Sequence, residues 1–453
     1  MKVALIRTPI SLAIAGCALT CIPAFSAGFL LNETSASGLG TAFAGGAAAA
    51  QDASTMWSNP AGLSKLRSKE LVGALHVITP SMTFNDQGSL KALNQSTLGG
   101  NGGDAGGSNF VPNLYFAMPI NQAWSFGVGF TAPWGLVTEY EAGWAGRFQA
   151  IKSSIKTYNL NPAFSWKAAP GLAVGLGLNL QRLEGEFTNQ VNYSGVLISA
   201  GGAGVAPLTP NLESSAAIKG ADNSSGWNIG LLWDLDANTR MGFGYRSRVN
   251  YTLTGDVKFT NPAPSSLPAA VQGLATAVNA GALYNSGISS DVKIPEIANL
   301  SFFRTMGNWD LMADAQWTGW SSIQSLTFIR DNGNLLQSTP ENFKDVWKLA
   351  LGVNYRLNDQ WTWRGGLAYD QSPVQSAYRT PRLPDADRTW LTGGGQYKMD
   401  NGFKLDFGAA YIWVKGASIN TPADAAGQAA SGLLNGNYSG KTWILSGQGT
   451  WSF

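Results

Sequence analysis

Apolar and polar residues alternate one by one along most of this chain. In the last segment Trp443, Leu445, Gly447, Gly449, Trp451 and Phe453 fall on one side, and Ile444, Ser446, Gln448, Thr450 and Ser452 on the other. Phe403, Leu405, Phe407, Ala409, Tyr411 and Trp413 alternate with Lys404, Asp406 and Gly408 in the same way. So do Leu172, Val174, Leu176, Leu178 and Leu180 with Gly175, Gly177, Asn179 and Gln181. Successive side chains of a strand point to opposite faces, so a period of two predicts strands with one apolar and one polar face. Such runs recur near 70–86, 108–119, 122–132, 155–168, 171–192, 214–235, 238–260, 288–306, 308–330, 342–358, 360–372, 386–400, 402–418 and 437–453, which makes fourteen. Short turns such as Asn358-Asp359-Gln360 and Asp400-Asn401-Gly402 alternate with long connections. Past residue 27 no stretch is long and apolar enough for a membrane helix, which needs ~20 residues.

A soluble β-sandwich would alternate too, but three features select a membrane barrel. The polar faces are rich in small, neutral residues, which suits a lumen. Aromatics sit at the ends of the apolar faces, as in interfacial girdles. The last strand ends on an aromatic, Phe453. The expected fold is therefore all-β: a transmembrane antiparallel β-barrel of about fourteen strands, spanning residues 70–453, with its edges closed as a bilayer demands.

Composition agrees. Only 13% of residues are charged, although Trp numbers 17, Tyr 13 and Phe 20. Soluble domains carry about 25% charge. The N-terminus reads as an export signal over residues 1–26, with Lys2 and Arg7 before an apolar run and Ala24 and Ser26 placing the cut before Ala27. A lipoprotein-like cut at Ile14-Ala15-Gly16-Cys17 is the alternative. Removing Lys2 and Arg7 leaves 28 basic against 28 acidic residues, with no basic excess for nucleic acid. The two cysteines, Cys17 and Cys21, leave with the signal, and His76 is the single histidine. No thiolate or histidine-rich metal site can then be assembled, and no cofactor is expected.

Two regions depart from a plain barrel. Residues 27–69 are rich in Ala and Gly and too irregular for a strand, so a compact plug inside the lumen is expected. The long connections 193–213 and 261–287 are unusually apolar. Leu267, Val271, Leu274 and Val278 have the 4, 3, 4 spacing of a short amphipathic helix. Apolar loops, among them Leu197, suggest a surface that captures a hydrophobic ligand; loops that pack on each other are the alternative.

Several motifs, taken in order, resemble the FadL-type outer-membrane transporters of long-chain fatty acids. They are Ala27-Gly28-Phe29-Leu30-Leu31-Asn32-Glu33, Ser37-Gly38-Leu39-Gly40, Asn59-Pro60-Ala61, Pro133-Trp134-Gly135-Leu136, Trp144-Ala145-Gly146-Arg147-Phe148 and Arg364-Gly365-Gly366-Leu367-Ala368-Tyr369-Asp370. Where the family has Ile-Pro-Asp-x-Asp-Arg, this chain reads Leu383-Pro384-Asp385-Ala386-Asp387-Arg388. The resemblance implies a fourteen-stranded barrel with an N-terminal hatch, capture by the apolar loops, and a lumen pocket beside Ala27, Gly28 and Phe29. It implies a hatch carrying Asn59, Pro60 and Ala61, and a lateral exit where the third strand kinks. Gly127 and Gly129 are the candidates for the kink, since glycine bends strands. Arg147 and Lys152 are candidates by location for a carboxylate head group.

The functional reading is an outer-membrane transporter of long-chain fatty acids or similar hydrophobic molecules. It is expected to be a monomer among outer-membrane lipid and lipopolysaccharide, inserted by the barrel assembly machinery. The same family also carries aromatic hydrocarbons, which is the first alternative. A lipolytic barrel would need a serine two residues from its histidine; Ala74 and Ile78 flank His76 instead. An open porin is disfavoured by the plug and the apolar loops.

Overall fold

The computed structural model describes residues 28–453; the expected export signal, both cysteines and Ala27 lie outside the described residues. Fourteen antiparallel strands close into one barrel. They are β1 (Glu70–Asp86), β2 (Asn109–Pro119), β3 (Trp124–Thr131 and Gly135–Glu139), β4 (Lys152–Ala169), β5 (Leu172–Asn192), β6 (Glu213–Asp234) and β7 (Thr239–Arg246 and Val249–Thr260). There follow β8 (Ser286–Ile294 and Ile297–Met306), β9 (Trp309–Thr318 and Ser325–Arg330), β10 (Leu335–Pro340 and Val346–Arg356), β11 (Trp361–Asp370), β12 (Arg388–Lys398), β13 (Lys404–Thr421) and β14 (Leu434–Ser452). β1 pairs with β14 from Glu70↔Ser452 to Asp86↔Gly436, so no edge is left between first and last strand.

The outer face carries the apolar half of the alternation. Leu176, Leu351 and Leu445 are 59%, 65% and 59% exposed, values that make sense only against lipid. Trp166, Trp233, Trp309, Trp363 and Trp451 sit near the ends joined by short turns, and Trp347 and Trp413 stand towards the long connections. By the usual asymmetry of such barrels, the short turns are periplasmic and the long connections extracellular.

Five strands are broken at one level. Each break, at 132–134, 247–248, 295–296, 319–324 and 341–345, begins two residues beyond an outward-facing Phe130, Tyr245, Ala298, Trp317 or Trp347. Pro133 and Pro295 lie in two of the breaks, where proline cannot donate to a ladder. Arg248 ties the 247–248 break to Glu296 in the 295–296 break by a two-point ion pair at 2.8 and 2.9 Å. Beyond this seam the upper segments of β7, β8, β9 and β10 pair with one another as a collar above the membrane ring.

Residues 28–66 pack inside the barrel, bonded to inward side chains from opposite walls. Gln448 of β14 accepts from the Ala36 N–H at 3.0 Å, and Ser301 of β8 accepts from Ala47 at 2.9 Å. Tyr115 of β2 donates to the Thr34 carbonyl at 2.8 Å. Two short helices, α1 (Ala36–Leu39) and α2 (Thr55–Ser58), lie in this segment. Small lumen residues make room for it: a Cβ on Gly242 would overlap the Ala47 carbonyl, and one on Gly175 the Ala61 amide.

Candidate functional site

The interior segment is anchored at Asn59. Its side-chain amide donates to the carbonyls of Ala47 (2.6 Å) and Leu231 (2.8 Å), and its Oδ1 accepts from Ala61 at 2.9 Å, capping a 3-10 turn that Pro60 begins. A Cβ on Gly230 would overlap Asn59 Oδ1, so the wall is shaped around this one side chain. Replacing Asn59 by Ala removes three buried hydrogen bonds and should destabilise the segment's seating by about 3 kcal/mol. Hydrogen exchange read by mass spectrometry should then rise across residues 44–66 but not in β6; equal exchange in both proteins would strip Asn59 of its anchoring role.

The third strand breaks at Ala132-Pro133-Trp134, not at Gly127 or Gly129. Those two glycines lie in regular pairing with β2 and β4. A Cβ on Gly127 would press on Leu63, and one on Gly129 on Tyr115, so they are small to admit close packing rather than to bend. Past the break β3 runs on to Glu139, farther than the sequence pattern indicated, and pairs with β4 alone. On the other side β2 pairs with β3 only from Leu114 to Pro119, which leaves Asn109 to Asn113 without a β3 partner. The interior segment fills the place of the missing neighbour. Leu30 bridges Trp134, Leu31 donates to the Pro133 carbonyl and Gly135 to the Phe29 carbonyl, both at 2.8 Å.

Above this point lies an apolar cavity, partly open to solvent. Phe29 forms one wall, with Leu136, Ile155, Leu183 and Phe187 from β3 to β5, Leu253, Val292 and Ile294 from the collar, and Phe343 from the break of β10. Phe29 is wedged edge-on between Trp134 (5.8 Å) and Trp320 (4.8 Å), two indoles that stand in the breaks of β3 and β9. Gly28 before it needs its positive φ of 61°, and a Cβ there would overlap Trp320. Its N–H donates to Asp385 at 2.8 Å, and Asp385 is in turn held by Arg388 and Ser372.

The basic residues chosen from sequence do not line this cavity. Arg147 pairs with Glu213 at 2.8 Å and donates to the Leu98 carbonyl at 2.7 Å, and Lys152 pairs with Glu186 at 3.2 Å. The cation that does line it is Arg382, on the 371–387 connection, with Glu341 as the one acid. Neither stood out in the sequence, where the run of Arg379, Arg382 and Arg388 around the Leu383-Pro384-Asp385 motif is the available signal.

The apolar loops fold on each other. Helices α3 (Tyr193–Gly201) and α4 (Ala269–Gly281) form between β5 and β6 and between β7 and β8. Leu197, Leu267 and Val271 are buried together with Tyr193 and Val278, and Leu274 packs at the edge of that cluster. The helix expected from the 4, 3, 4 spacing is present, but its apolar face covers the neighbouring loop. His76 bonds across the sheet to Ser446 at 2.6 Å; both are buried and neither lines the cavity.

A closed barrel with an apolar belt, an occupied lumen and a cavity beside a wall break is that of an outer-membrane transport protein. The family model described as outer membrane protein transport protein (OMPP1/FadL/TodX) matches residues 17–453, and the chain belongs to that family. It resides in the bacterial outer membrane. It is 30% identical over 457 residues to the long-chain fatty acid transport protein of Escherichia coli K12, covering 96% of each chain. The crystal structure of a Pseudomonas aeruginosa FadL homologue superimposes with a TM-score of 0.84 at 25% identity, over 94% of this chain and 100% of that one. The P. putida toluene transporter TodX shares the fold, with a TM-score of 0.68 at 16% identity over 95% and 99% of the two chains.

Proposed function

We propose that this protein carries long-chain fatty acids, or molecules of similar hydrophobicity, across the outer membrane. In this reading the cargo enters from the extracellular loops, rests in the cavity beside Phe29, and leaves sideways through the break in β3 into the bilayer. Residues 27–69 act as the hatch, seated by Asn59, Pro60 and Ala61. One observation carries the reading: Phe29 both walls the cavity and, through its carbonyl, bonds Gly135 at the wall break. Cargo that displaces Phe29 therefore opens the exit it needs.

The physical argument for a lateral exit is solvation. An acyl chain gains about 0.8 kcal/mol for each CH₂ removed from water. A water-filled pore offers no such gain, whereas an apolar cavity next to a wall opening passes the chain from one apolar phase to another. Arg382 in the cavity wall favours an acid head group over the alternative cargo, an aromatic hydrocarbon. The test is uptake of labelled oleate and labelled toluene by cells in which this protein is the sole transporter of its kind. Oleate should enter and compete with toluene. Entry of toluene without oleate would favour the alternative, and entry of neither would overturn the proposal.

A further inference from the structure

The cavity is apolar except at one place. Among its lining residues only Glu341 and Arg382 titrate. Glu341 stands in the break of β10 and Arg382 in the 371–387 connection, both on the extracellular side of the exposed Trp347 and so outside the membrane-spanning strands. Arg382 spends its donors on neutral acceptors: the Lys152 carbonyl (3.4 Å), Ser153 Oγ (3.2 Å) and Asn189 Oδ1 (3.2 Å). Glu341 is 7% exposed and, among the described residues, its carboxyl joins no hydrogen bond and no ion pair. One apolar cavity therefore holds a cation and a carboxyl group that feel each other's charge without a hydrogen bond or ion pair between them.

The other elements around Glu341 supply no competing charge. β3, β4, β5, β7, β8, β9 and the 319–324 break contribute only apolar side chains or glycine to the cavity. Of the charges nearby, Lys152 and Lys219 are both taken by Glu186, at 3.2 and 2.9 Å, and Asp345 accepts from the Ser321 amide at 2.8 Å. Lys344, next to Asp345 on Glu341's own segment, is not among the lining residues.

We propose that Glu341 makes acid binding in this cavity proton-linked: protonated, it leaves Arg382 free to take one carboxylate and donates its own O–H to that ligand, and ionised, it excludes the ligand. The proposal rests on the reading of the cavity as the cargo site. Two carboxylates in a low-dielectric cavity with one guanidinium repel strongly, so the anionic ligand and ionised Glu341 are mutually exclusive. Burial pushes the Glu341 carboxyl up to about 8, against the opposing pull of Arg382. Burial also lowers Arg382, to about 10, which still leaves it charged at pH 9. Below pH 8 the ligand thus meets a protonated Glu341, and above it each binding event takes up one proton from solution.

The experiment is calorimetric titration of the purified full-length protein with decanoate and with decan-1-ol at pH 6.5 and pH 9. Decanoate is ionised at both values. For the natural protein decanoate should bind about tenfold more weakly at pH 9, while decanol is unaffected. Glu341→Gln should keep the affinity for decanoate at pH 6.5 and lose the pH dependence. Arg382→Gln should lose decanoate at both values and retain decanol, which also reports an intact cavity. Decanoate binding that is flat with pH in the natural protein, or that keeps its slope in Glu341→Gln, overturns the linkage while leaving the cavity as a cargo site. Failure of both ligands to bind the natural protein overturns the cargo-site reading, and the linkage with it.

Discussion

Oxidation of a Leu30→Cys, Trp134→Cys double variant should reduce oleate uptake to the background of cells lacking the protein, and a reductant should restore it. The two residues face each other as a non-hydrogen-bonded antiparallel pair, flanked by the bonds Leu31 to Pro133 and Gly135 to Phe29. Such pairs bring their Cα atoms to about 4.5 Å, inside the range a disulfide spans. No cysteine occurs in residues 28–453, so the new bond would have no rival there. Once formed, it holds the backbone of Phe29 at the wall, keeps its ring against Trp320 and keeps the break in β3 occupied. The reduced double variant supplies the baseline, because losing the Trp134 indole itself loosens that cluster. Equal uptake in the oxidised and reduced states would rule out exit through this break.

Deleting residues 28–61 should turn the protein into an open pore with large, steady ion conductance in planar bilayers, where the intact protein conducts little. The barrel does not depend on this segment for closure, since every strand from β1 to β14 is paired with its neighbours. What the segment fills is the space in front of inward glycines: Gly175, Gly230, Gly242, Gly244 and Gly366 would each meet its backbone or the Asn59 side chain if they bore a Cβ. Without it those positions present bare backbone to a wide, polar lumen. Heat-modifiable migration on gels would show that the shortened barrel has folded. A folded variant with unchanged conductance would mean that the lumen is blocked by something other than this segment.

The strand count was legible because a half-buried strand prints its two faces directly into the sequence. Leu172 to Leu180 and Trp443 to Phe453 needed no tertiary information to be read. The breaks were harder. Pro133 stands in the one in β3 but enters the sequence reading only within a family motif, whereas Gly127 and Gly129 read as the bend, and a glycine that bends a strand looks the same in sequence as one that admits a neighbour. Only Leu63 and Tyr115, distant in the chain, distinguish the two cases. The helix in the 261–285 connection was legible from its spacing, but that Leu197 and Val271 bury each other was not, since spacing gives a face and never its partner. Position alone nominates Arg147 and Lys152, whose charges are taken up by Glu213 and Glu186. Glu341 and Arg382 share one cavity only because the break of β10 and the 371–387 connection both face it, a consequence of closing the barrel that no local pattern carries.

The seam of broken strands also bears on how such a protein can change over generations. Collar, outer connections and interior segment supply much of the cavity's lining, while the ring below the seam meets the lipid. A continuous strand would tie the two together, because altering side chains at one end shifts the register and tilt of the other. A break uncouples them. Substitutions at Leu253, Val292, Ile323 or Phe343 can reshape what the cavity accepts while the belt around Leu351 and Leu445 stays as it is, so selectivity and membrane anchorage are free to evolve as separate traits.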